Sequence, residues 1–184
     1  MTVLEQDTSF ERAIPPAEIT LKKRQRTFFT PRRVARMSIF IALSAVGAIT
    51  KIPSPTGTVA LDSCMGYFSA AGFGYLEGAS VAALGHLFTS LTMGFPLGLP
   101  VHLYIALQMA AWAAAFRYLT VRVHPLAGIV GGIILNGAVS SYLIIPFGGI
   151  GLAAALILPL TIGSAANVMI ASAAYSIVRK SNMI

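Results

Sequence analysis

The sequence predicts an all-α integral membrane protein, a compact bundle of six transmembrane helices, and three observations carry that prediction. Hydrophobic residues make up 56% of the 184 and charged residues only 10%, against about 25% charged in an ordinary soluble domain. Mean hydropathy is +0.78. Apolar segments recur at 34–50, 60–76, 78–95, 99–116, 123–145 and 150–178, and the cations fall where the positive-inside rule places them.

The first thirty or so residues are polar and lack an apolar stretch long enough for a signal-peptide core, so no cleaved targeting segment is expected. Lys22, Lys23, Arg24, Arg26, Arg32, Arg33 and Arg36 precede or abut the first apolar run. A basic cluster there holds its flank on the cytoplasmic side. The net charge of +7 is therefore read as a membrane flank, and no nucleic-acid partner is expected. Residues 1–32 are assigned to a cytoplasmic basic tail and 33–180 to one six-helix membrane domain.

A bilayer core of about 30 Å needs about 20 helical residues, so the first three segments are short for a crossing. The second, with its glycines in "MGYFSAAGFGYLEG", is the weakest helix. Beyond the amino-terminal cluster the cations are Lys51, Arg117, Arg122, Arg179 and Lys180. With six crossings, all of these but Lys51 lie on the side of the amino terminus, which predicts a multi-pass cell-membrane protein with both termini cytoplasmic. The outer connections are then "KIPSPTGTVALD", "MGFPLGLPVH" and "IPFGG", each held in turns by proline and glycine. The inner ones are Glu77 with Gly78, and "RYLTVRVHP".

No phosphate-binding GxxxxGK[ST] stretch and no internal repeat is found. Carboxylates after residue 18 number two, Asp62 and Glu77, both near predicted segment ends. Uphill transport would therefore draw its energy from a partner rather than from an ion relay within this chain. The single Cys64 is expected to be a packing residue. Three histidines without carboxylates or thiolates at ligand spacing predict no metal site, and no cofactor is expected.

Unpaired polar groups are costly in hydrocarbon, so each one inside a span needs a partner, a water or a solute. His86, Thr89 and Ser90 form a stripe on the third segment, with Met93 beyond. Tyr104 and Gln108 share a face of the fourth, with His102 at its outer end and Trp112 one turn deeper. Asn136 and Ser140 lie four apart on the fifth, and Asn136 is the leading inward-facing candidate. Asn167 on the sixth is assigned to packing. Thr56 and Asp62 complete the set from a hydroxyl-rich outer loop, residues 51–63, expected to wall or cover an outward-facing pocket. Thr56, Asp62, His86, Thr89, Ser90, His102, Tyr104, Gln108, Asn136 and Ser140 are thus the candidate substrate-binding residues; for each, hydrogen bonding within the bundle is the alternative.

Six short spans, a basic amino terminus, the small-residue-rich first helix "RRVARMSIFIALSAVGAIT" and an extended first outer loop together resemble the S components of energy-coupling factor (ECF) transporters, over residues 30–180. The resemblance implies a non-enzymatic subunit that captures a vitamin or vitamin precursor. It also implies a transmembrane coupling subunit and two ATP-hydrolysing subunits as partners. That family docks through an Ala-x-x-x-Ala pattern on the first helix. Here Ser38 with Ala42, and Ser44 with Ala48, have the small-xxx-small spacing, while the exact pattern is missing in this register.

"PSPTGTVALDS" followed by "GHLFTSLTMGFPLGLPVHL" further resembles a subgroup associated with α-ribazole and cobalamin salvage. Composition and spacing do not select that solute. Pantothenate or a pyridoxine-like ring fits the same lining, and a small intramembrane hydrolase using His86 with Ser90 or Thr89 is the reading from another class, though no GxSxG motif accompanies them.

Overall fold

Apolar residues punctuated by glycine and proline give six helical elements among residues 30–181, which the computed structural model describes. The chain divides into a short unit, Met1–Ala35, and a larger one, Arg36–Ile184. Most of the basic tail lies outside the described residues, and helix α1 begins at Pro31 and ends at Gly47. Helices α2 (Cys64–Gly72) and α3 (Tyr75–Thr92) follow. Helix α4 runs from Leu99 to Val123, its last turn widened to a π-helix from Leu119. Helix α5 is Pro125–Leu143, and α6 is Ile145–Lys180, broken near its start by Gly149 at φ 72°.

Helices α4, α5 and α6 are long and apolar enough to cross a membrane. Helix α2 is not: nine residues rise about 13 Å, less than half of a bilayer core. The second predicted segment, 60–76, resolves into the end of the 51–63 loop followed by this short and almost wholly buried helix.

The turn between α2 and α3 also falls earlier than the sequence suggested. It is made at Phe73 and at Gly74, whose φ of 152° only glycine accommodates. Glu77 looked like a segment end because it is charged. It lies in the first turn of α3, 3% exposed, where Arg36 of α1 holds it at 3.1 Å. The Arg36 guanidinium also covers the Phe73 ring at 4.0 Å. From α4, Arg117 donates to the carbonyls of Ala70 and Ala71, capping the end of α2. Two arginines thus neutralise the polar groups of one short turn.

The main core packs Tyr67 and Phe68 of α2 against Met109 and Phe116 of α4 and Val168 of α6. A second cluster at the other end gathers Ile144, Ala153 and Leu156, with Leu97 and Ile105 against it. Polar side chains lie inside: Ser44, Thr89, Ser90, His102, Asn136, Ser164 and Asn167 are buried. Large apolar ones lie outside, among them Ile39, Leu107, Val130, Ile150, Leu158 and Ile177. This arrangement reverses that of a water-soluble domain.

Helices α2 and α3 approach closely because Gly66 faces Ala82; a β-carbon on Gly66 would stand 2.7 Å from Ala82 Cα. Gly66→Val is therefore expected to cost about 3 kcal/mol or more by overpacking, read as a lowered melting temperature of the detergent-solubilised protein.

Candidate functional site

Residues 51–63 fold back on themselves. Lys51 and Ala60 form an isolated antiparallel bridge, Ile52 N–H donates to Val59 at 2.9 Å, and Leu61 N–H donates to Thr50 at 3.1 Å. Proline and glycine make the tip, where Gly57 N–H reaches the Ser54 carbonyl at 3.1 Å. The Thr56 and Thr58 hydroxyls share a hydrogen bond of 2.8 Å. Lys51 Nζ donates to the Gly57 carbonyl at 3.4 Å from the exposed face.

Helix α6 fastens this loop. Asn167 Oδ1 accepts from Cys64 N–H at 2.7 Å, and Asn167 Nδ2 donates to the carbonyls of Ala60 at 2.8 Å and Gly163 at 2.9 Å. Gly163 leaves room for Val59 and Ile52, whose side chains would lie 2.8 and 3.1 Å from a β-carbon there. On the α3 side the Thr89 hydroxyl donates to Asp62.

Beneath the loop lies a cavity of about 650 Å³, counted with the open space at its mouth. Thr56, Thr58, Asp62 and Ser63 line it from the loop, His86 from α3, Gln108 from α4, Asn136 and Ser140 from α5, and Ser164 and Asn167 from α6. Leu97, Ile105, Met109, Ile144, Leu156 and Leu160 form the apolar wall.

Six of the ten candidate residues, Thr56, Asp62, His86, Gln108, Asn136 and Ser140, therefore meet around one space. The other four do not line it. Thr89 is fully buried behind Asp62. Tyr104 turns aside to pack on Phe147, with ring centroids 5.1 Å apart.

Ser90 and His102 are fully buried in a knot with His86. Leu97 N–H can only donate, and it approaches His102 Nε2 at 3.4 Å, so the proton of a neutral His102 sits on Nδ1. That nitrogen lies 2.9 Å from Ser90 Oγ, whose own hydrogen goes to the His86 carbonyl at 2.9 Å. His86 Nε2 stands 3.2 Å from the same oxygen. Ser90 is thus an acceptor that ties the 93–98 loop to α3, and its hydroxyl is not aligned as a nucleophile toward a histidine base. Asp62, engaged by Thr89, orients neither histidine.

Of the two small-residue pairs on α1, Ser38 and Ala42 are exposed. Ser44 and Ala48 are buried, with Ser44 against Gly85 of α3. This corrects the expectation for the second pair: internal packing already occupies it, so it is not open to a partner helix.

Gln108 and Asn136 carry spare hydrogen-bonding capacity. Gln108 Nε2 is buried without a partner, and it is the one such atom among the described residues that belongs to the cavity lining. Asn136 sits in a π-helical stretch, Ile134–Val139, which swings its side chain inward. Its Nδ2 donates to Ser164 Oγ at 2.9 Å. Ser140 accepts from Trp112 Nε1 at 2.8 Å, so the lone tryptophan touches the lining. Sequence reasoning missed Ser164, and it ranked packing above solute contact for Asn167, which fastens the loop and also lines the cavity. An amide and a hydroxyl three residues apart after Gly163 in an apolar helix were the available signal.

Asp62, in the 51–63 connection, is 4% exposed. Burial pushes its carboxyl up to about 6, although the Thr89 hydroxyl, the backbone N–H groups of Asp62 and Ser63, and the charge of Lys51 pull it down. A folded-state pKa above the unfolded value means that the ionised carboxylate opposes folding above pH 6. The opposition fades as pH falls toward 4. At neutral pH the cost is on the order of 3 kcal/mol. Asp62→Asn is expected to raise the melting temperature at pH 7.5, with a gain that shrinks steadily as the pH is lowered below 6; thermal unfolding across that range measures it.

Comparison of the chain with protein-family models, with curated proteins and with solved structures finds no match.

Proposed function

We propose that this chain is the solute-capture subunit of an ATP-driven importer of the ECF type, a multi-pass membrane protein with both termini cytoplasmic. One observation carries the reading: a polar loop is fastened over a cavity to which side chains from α3, α4, α5 and α6 turn their hydrogen-bonding groups, in a unit whose outer faces are apolar. The three long apolar helices cross the bilayer, and α1, α2 and α3 complete the bundle against them. The cations at the ends of α4 and α6, Arg117, Arg122, Arg179 and Lys180, support a cytoplasmic placement of that side. The cavity then opens outward, where a scarce solute is captured.

The protein is a binder and not an enzyme. Energy comes from a transmembrane coupling subunit with two ATP-hydrolysing subunits, and the exposed pair Ser38 and Ala42 offers α1 a close helix contact. The solute is a vitamin or vitamin precursor. α-Ribazole, a flat base on a ribose, is the leading candidate: the apolar wall suits the base and the Thr56, Thr58 and Asp62 cluster suits sugar hydroxyls.

Trp112 provides a reporter, because it is the single tryptophan and donates to a lining hydroxyl. The purified chain is expected to bind α-ribazole at one site, with a saturable change in Trp112 emission. Proteoliposomes are expected to accumulate the solute only when the coupling subunit, the ATPases and ATP are present. Accumulation by this chain alone, or no saturable binding of any vitamin-class solute, overturns the proposal.

A further inference from the structure

The charge of the lining restricts the solute beyond the reading above, on which this inference rests. Among the described residues, every lining position with polar capacity is a hydroxyl, an amide, an imidazole or a carboxylate, and none is lysine or arginine. Lys51, whose charge reaches Asp62, is exposed and bonded to the Gly57 carbonyl rather than to the lining. The acidic member, Asp62, is buried in the wall with one oxygen engaged by Thr89. A carboxylate has about four lone-pair sites, so acceptor capacity remains. Gln108 Nε2 presents an unpartnered donor within the same lining.

A solute anion entering this space would give up its hydration, find no cation among the described lining residues and face the like charge of Asp62 in a medium of low dielectric. A neutral solute with a hydroxyl or N–H group would instead supply Asp62 with a further donor beside the Thr89 hydroxyl and the backbone N–H groups. Keeping a carboxylate buried where its ionisation opposes folding is explained if binding recovers the loss.

We infer that the cavity takes an uncharged or weakly basic solute with an apolar body, seating a hydroxyl or N–H donor on Asp62 and an acceptor on Gln108 Nε2, and that it turns away carboxylates and phosphates. Asp62 is then the specificity-determining residue, and acids such as pantothenate fall outside the range.

Matched pairs differing only in charge test this on the full chain in detergent: α-ribazole against its 5′-phosphate, panthenol against pantothenate, and pyridoxine against its carboxylate. In at least one pair the neutral member should bind, and bind about 100-fold more tightly than the anion. Asp62→Asn should weaken the neutral member and admit the anion, closing the gap to a few-fold. Gln108→Leu should weaken the neutral member by about tenfold and leave the discrimination in place. An anion that binds as well as its neutral partner, or a gap unchanged in Asp62→Asn, overturns this inference and leaves solute capture standing. Failure of every member of every pair to bind overturns both.

Discussion

Two hydrogen bonds of Asn167, one to the Ala60 carbonyl and one from the Cys64 N–H, hold the end of the polar 51–63 connection against helix α6, and the roof of the cavity depends on them. Without that fastening, the loop's backbone groups would need water, and its small bridge between Lys51 and Ala60 is too short to fix its position. Asn167 satisfies a buried N–H and a buried carbonyl on the loop side, then returns to its own helix through Gly163. Leaving such groups unpaired costs about 1–3 kcal/mol each, so the amide acts through the partners it would orphan. Gly163 supplies the complementary absence of bulk that lets Val59 and Ile52 settle on α6.

The same logic runs through the rest of the larger unit. Apolar side chains cover its outside, and several polar interior groups answer one another: Arg36 and Glu77 close the α2–α3 turn, Arg117 caps α2, and the His86, Ser90 and His102 knot secures the 93–98 loop. These pairs are largely saturated within the chain. Asp62, Gln108 and Asn136 retain capacity facing one cavity. Saturated pairs shape the bundle, and the residual capacity at the cavity is what the proposed solute would use.

Much of this was legible in the sequence for reasons that can be traced residue by residue. The α4, α5 and α6 segments announce themselves by length and hydropathy, and the proline and glycine content of 51–63 marked a stiff connection. Asn136 stood out as an amide deep in an apolar run. The errors share a cause: sequence reports polarity and not pairing. Glu77 read as a segment end because its partner Arg36 is 41 residues away. Thr89, Ser90 and His102 read as ligand groups because nothing in the chain order reveals that they satisfy Asp62 and one another. Ser44 with Ala48 matched a docking pattern that equally serves a helix of the same chain, and Gly85 is what decided between them.

Hydrogen exchange at residues 59–64 in the full-length protein tests the fastening of the loop most directly. The account predicts that these amides are protected in the unmutated chain, and that Asn167→Leu releases them while α4 and α5 keep their protection. Free exchange of the loop amides in the unmutated protein, or undiminished protection in Asn167→Leu, would contradict it.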